Sequence, residues 1–224
     1  AHNNPQTISV TLIISEEGSF VAYNDLNSTN SINTHNVTGY DYSATNERLK
    51  DVITGEDLFV TVTGSVSPDG AYDPIGSNGG NFTDVSSDAY QIFEGIVDLT
   101  GVFELDGSDW NHVLTFNNLE PDKKYTITLT ANRDNSNYSG ERFTKVTIEG
   151  AQSYRNVSSV GVIVHSEASV SFSTGYNTIN GFMAKWTDIS PGSDGSFSII
   201  SQWDDNYPGT KGYAVSAFRL ESDN

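Results

Sequence analysis

The sequence predicts an all-β fold, an antiparallel β-sandwich of jelly-roll type with long loops and at most one short helix. Apolar and polar residues alternate with period two through segment after segment, as half-buried strands require. Turn-forming pairs such as Pro191-Gly192, Asp194-Gly195 and Pro208-Gly209 separate these segments. Only residues 44–52 carry helical character, enough for about two turns. Roughly a dozen short strands with almost no helix close most naturally as two packed sheets.

Taken in chain order, residues 7–14 are β-branched and apolar and read as the first strand, and residues 24–38 read as a polar loop. Leu58, Val60 and Val62 alternate with Phe59, Thr61 and Thr63, which predicts a strand over 58–66. Residues 67–88 are rich in Gly, Asp, Asn and Pro and read as one long loop. A loop of that length inside a compact domain is usually functional or organised by an ion. Strands are predicted at 90–98, 100–105, 111–117, 124–132, 142–149, 161–165, 168–173, 181–187, 195–203 and 212–220. Residues 181–187 and 195–203 flank a tight turn and read as an antiparallel hairpin. No linker divides the chain, so residues 1–224 read as one sandwich module with its core at about 7–221.

Composition excludes several classes of function. Cysteine is absent, which removes thiol chemistry, iron–sulfur clusters and cysteine–zinc sites. Eleven basic residues stand against 29 acidic ones, a net charge of −18. A field of that sign repels nucleic acid and anionic membranes, and it suits divalent cations and neutral sugars. No apolar run approaches the length of a membrane span. The chain starts at Ala1 and not at Met, which fits a processed or trimmed form without a signal peptide. Five sequons, at Asn27, Asn36, Asn81, Asn137 and Asn156, fit an exported glycoprotein of the extracellular space or cell surface.

Residues Leu114 to Arg133 form a strand, an Asn-Leu-Glu-Pro turn and a Tyr-led strand. With residues 142–150 and 175–220, this element resembles the galactose-binding-like β-sandwich modules of secreted microbial proteins. The likeness covers about 55–221. It implies that Leu119, Pro121 and Tyr125 fix a turn and a core tyrosine. It further implies a jelly-roll sandwich, frequently a structural calcium, and a noncatalytic binding or scaffold role.

Calcium takes several oxygens from carboxylates and carbonyls of irregular loops. Asp69, Asp73, Asp84 and Asp88, in the Gly-rich 67–88 loop, are the candidate ligands, with Asp188/Asp194 and Asp134/Asn135 as lesser ones. Sugar rings stack on exposed aromatic faces while polar neighbours grip the hydroxyls. Trp203 with Asp204, Asp205 and Tyr207 is the first candidate for such a site, and Trp110 and Arg133 are further candidates. Trp186, mid-strand, reads as core. The four histidines are scattered, and neither a Gly-x-Ser-x-Gly elbow nor a phosphate loop occurs. Carboxylate pairs such as Glu94/Asp98 and Asp98/Glu104 are too easily nominated among 29 acids to mark a glycosidase.

The sequence therefore leads to the expectation of a secreted, noncatalytic carbohydrate-binding module with a structural calcium and a polysaccharide or glycan partner. Two alternatives stand beside it: a cell-surface, adhesin or filament subunit that assembles with its own copies by strand addition, and a glycan-active enzyme.

Overall fold

The computed structural model describes residues 18–25, 37–39, 47–67, 73–75, 78–105 and 110–222. The predicted first strand at 7–14 and most of the predicted 24–38 loop lie outside them. The described residues form an antiparallel β-sandwich, as the alternation predicts.

One layer has six strands in the order β10-β13-β8-β16-β1-β2: Ser153–Asn156, Ala184–Ser190, Tyr125–Thr130, Ala217–Ser222, Val21–Asp25 and Thr38–Gly39. The facing layer has seven, β11-β12-β9-β14-β7-β4-β3: Ile163–Ser166, Ser169–Ser173, Phe143–Glu149, Phe197–Trp203, Asn111–Asn117, Asp57–Ser67 and Glu47–Lys50. A small sheet, β15-β6-β5 (Gly212–Ala214, Val102–Leu105 and Asp73–Ile75), completes the set. Among the described residues all pairings are antiparallel except the short β1–β2 contact.

The two large sheets share one core. Ile127, Leu129, Trp186 and Phe218 of the six-stranded sheet meet Leu114, Phe116, Val146 and Ile199 of the seven-stranded sheet. Phe116 and Phe218 bridge the layers edge to face, with ring centroids 5.0 Å apart. Burying each such ring contributes about 1.5–3 kcal/mol. Trp186 is fully buried and its indole N–H donates to the Glu167 carbonyl at 2.9 Å. Tyr125 is buried as well, and its hydroxyl accepts the Glu120 N–H at 2.8 Å. The 119–125 segment is thus the turn and core tyrosine that the resemblance implies.

The structure corrects the predicted position of the helix. Residues 47–50 form strand β3, with Leu49 turned into the core. The α-helix among the described residues is α1, Asp88–Phe93, which starts at the end of the predicted 67–88 loop and overlaps the strand predicted over 90–98. Ser87 caps it by accepting the Tyr90 N–H, and Asp88 occupies the first turn, where a carboxylate complements the helix dipole. Ala89, Phe93 and Val97 lie four residues apart on one stripe. That stripe covers the outer face of the six-stranded sheet, packing with Tyr23, Met183 and Ala217. Gly181 lets the helix approach: its φ is +56°, its carbonyl accepts the Ala89 N–H, and a Cβ there would run into the Ser87 hydroxyl.

The predicted hairpin is also corrected. β13 pairs with β8 and β10, whereas β14 pairs with β7 and β9. Residues 191–196 therefore arch from one sheet to the other instead of joining neighbours. The Gly192 N–H bonds the Ser196 carbonyl, and Gly195 sits at φ +73° with its α-carbon side facing the Leu119 carbonyl. Alternation on both sides of a turn is the same for a hairpin and an arch, because each buries every second residue. The predicted 212–220 strand likewise divides: β15 joins the small sheet and β16 the six-stranded one. The predicted 67–88 loop contains β5, which pairs with β6.

Candidate functional site

On β4 the even residues Leu58, Val60 and Val62 enter the core, so Phe59 points outward. It is 58% exposed, an unusual position for a large aromatic ring. The Arg48 guanidinium lies 5.6 Å from its ring centroid. The β3–β4 connection folds around Asp51, whose carboxylate accepts the N–H groups of Val21, Ile53 and Thr54 at 3.2, 3.0 and 2.7 Å. Burial pushes the Asp51 carboxyl up, but these hydrogen bonds outweigh it and hold the group below its ordinary range. The turn is therefore tied down at one carboxylate, and it forms one wall of an open groove of about 360 Å³.

Phe59, Ile53, Glu56 and Asp57 line this groove beside Gly18 and Ser19. Asp57 is paired with Lys50, which keeps its carboxyl below the ordinary range. Glu56 is exposed, and among the described residues its carboxylate has no ion pair or hydrogen bond. The groove so joins an exposed aromatic ring to carboxylates able to accept hydrogen bonds from hydroxyl groups, the two elements of sugar recognition. The signal for it in the sequence was Phe59 itself, an aromatic on the polar parity of an amphipathic strand.

The residues singled out from the sequence lie elsewhere. Trp203 has the inward parity of β14 and packs on Phe103, Leu105 and Ala214. Gln202 pairs with Asn111, so Trp110, half-buried, stands one step beyond in register with Trp203. Asp204 is buried at 3% exposure and accepts hydrogen bonds from the Ser171 hydroxyl and from the Asn206 N–H and amide. Asp205 is exposed, and Tyr207 is half-buried and stacked on Phe143 at 4.7 Å. Arg133 donates to the Asn78 carbonyl at 2.8 Å.

His165 completes a Ser-His-Asp grouping that sequence spacing did not reveal. Its Nε2 lies 2.8 Å from Ser171 Oγ and 3.2 Å from Asp204 Oδ2. In a nucleophilic triad the serine and the acid engage opposite ring nitrogens. Here both face the same nitrogen, and Ser171 is fully buried. The arrangement holds the 204–207 segment in place and activates no nucleophile.

Of the expected calcium ligands, Asp69 lies outside the described residues, as does the side chain of Asp73. Asp84 accepts from the Ser86 N–H and hydroxyl, and Asp88 begins α1. Among the described residues no group of three or more acids and histidines is placed to hold a metal ion. Among them, too, no helix is long and apolar enough to cross a membrane.

No family model and no curated protein matches the sequence. Among solved structures, the chain is similar to an exo-β-1,3-galactanase from Phanerochaete chrysosporium, solved with galactose. Identity is 13% and the TM-score 0.28 over 77% of this chain, which spans about a third (32%) of that enzyme's length. A likeness at that level assigns no activity. One expectation is withdrawn: the sequence led to a noncatalytic module, and the similar solved structure is that of a galactanase.

Proposed function

We propose that this chain acts on or binds a neutral glycan through the groove beside Phe59. The observation that carries the reading is the ring of Phe59, exposed at the lip of the groove and flanked by Glu56 and Asp57. An exposed aromatic ring beside carboxylate acceptors is what a sugar ring needs: its C–H face stacks on the aromatic and its hydroxyls donate to Glu56 and to the remaining lone pairs of Asp57. The net charge of −18 favours a neutral or cationic glycan over a polyanionic one. The Asp51-centred turn supports the reading as well, because a preformed wall lowers the ordering cost of binding.

The test is calorimetric titration against a panel of neutral polysaccharides, with release of reducing sugar measured on the same samples. Phe59→Ala should weaken binding, and any turnover, by about tenfold or more, equivalent to about 1.4 kcal/mol. It should leave the melting temperature nearly unchanged, since the ring is already in water. Neither binding nor turnover with any glycan would overturn the reading.

A further inference from the structure

Resting on that groove, we infer that its ligand is a polymer, a neutral polysaccharide chain that leaves the groove and lies along the open face of the seven-stranded sheet. The two sheets differ in their outer faces. That of the six-stranded sheet is covered by α1 and its flanks. On the seven-stranded sheet, outward residues of β9, β14, β7 and β4 remain half-exposed, among them Thr115, Thr147, Ser198 and Gln202. Hydroxyl and amide groups dominate this face, and several are already ordered across the strands. Thr115 and Ser198 bond each other at 2.9 Å, Thr147 and Ser169 at 3.1 Å, and Asn117 reaches Thr63.

Charge points to the same occupant. Between Phe143 and Glu149, Ser198 and Gln202, Asn111 and Asn117, and Phe59 and Ser65, the outward side chains include one base, Lys145, and one acid, Glu149. These four strands present a near-neutral surface on a chain of net charge −18, which is matched to an uncharged partner. At its centre the aliphatic side chains of Ile200 and Val113 sit opposite each other, an apolar strip that suits the C–H face of sugar rings.

Aromatic rings stand at both ends of the face. Phe59 opens the groove at one corner, and Tyr207 stacked on Phe143 marks the corner diagonally opposite. From the strand registers these corners are on the order of 35 Å apart, using about 4.8 Å between strands and about 3.3 Å per residue. That span accommodates a chain of several sugar units and far exceeds a monosaccharide.

Oligosaccharide ladders from disaccharide to octasaccharide, prepared from gluco-, xylo-, manno- and galactopolysaccharides, test the inference by titration. The expected result is affinity that rises at least tenfold with length in the ladder that binds. Thr115→Arg and Ser65→Arg each place a bulky cation on the face, Ser65 at an exposed position, and melting curves verify that both variants fold. Both should abolish the gain with length and keep disaccharide binding. Length-independent affinity, or face variants that bind the octasaccharide like the parent, would overturn the polymer inference and leave the groove reading standing. A concentration-dependent dimer disrupted by either variant, without change in octasaccharide affinity, would overturn it in favour of a second copy on this face. Absence of binding across all ladders would remove the groove reading and the inference together.

Discussion

The Ser171 hydroxyl donates to the buried Asp204 carboxylate at 2.5 Å, joining β12 to the segment that leaves β14. Burial alone would raise the Asp204 carboxyl, but the Ser171 and Asn206 hydrogen bonds and the nearby His165 hold it below its ordinary value. Ser171→Ala should cost about 1–3 kcal/mol, because it leaves a desolvated acceptor short of a donor. Urea denaturation measures this. The stability that Asp204 supplies is present above its ordinary pKa of 3.8 and is lost as pH falls through its lower folded value. An unchanged midpoint in Ser171→Ala would show that the bond contributes nothing net.

His112 gives a second dependence on pH with its own window. Its ring is fully buried 4.9 Å from Phe103, and burial lowers its pKa from 6.5 to about 4. Below pH 6.5 the unfolded chain takes up a proton that the folded chain refuses until about pH 4. Stability should therefore fall by about 3 kcal/mol as pH drops through that interval. His112→Gln, which cannot titrate, should flatten the slope of unfolding free energy between pH 4 and 6.5. An equal slope in the variant would place the titration elsewhere.

Asn177 carries the densest hydrogen bonding of any side chain in the 174–183 segment. It is fully buried, its amide donates to the Ala131 and Phe182 carbonyls at 3.2 and 3.0 Å, and its oxygen accepts the Phe182 N–H at 2.8 Å. Asn177→Ala leaves backbone groups unpaired in the interior and should cost about 3 kcal/mol or more. Chemical denaturation should show a clearly lower midpoint, and hydrogen exchange should show local loss of protection around Phe182.

Gly181→Ala tests the docking of α1. The left-handed backbone and the Ser87 contact both oppose a methyl group there. A loss of about 1–3 kcal/mol is expected. Combining it with Ser87→Gly, which removes the obstructing hydroxyl and retains a tolerable cap, should recover part of that loss. No recovery would mean that the backbone conformation alone sets the cost.

The strands were readable from the sequence wherever one face of a strand is buried and the other is wet. Leu58 to Val66 and Asn111 to Asn117 are of that kind. Pairing was not readable: Ile189 and Phe197 keep the same inward rhythm whether residues 191–196 turn back or cross over. The helix was missed because Tyr90, Ile92, Phe93, Ile96 and Val97 are so apolar that a buried strand and a covering helix look alike. Trp203 and Phe59 stand on opposite sides of the sheet for a related reason. Trp203 has the inward parity of β14, while the outward parity of β4 marks Phe59. The Ser171–His165–Asp204 grouping joins residues up to 39 positions apart, which spacing rules for local motifs do not reach.

β16 lies between β8 and β1 in the middle of its sheet, and Ala22 pairs with Leu220. The central seam of that sheet therefore cannot close until β16 has been synthesised. During translation the hydrophobic edges of β1 and β8 must wait for it, so folding should be slow and dependent on a strand about 200 residues beyond β1. Removal of the β16 segment would leave a hole in the middle of the sheet and not a frayed margin.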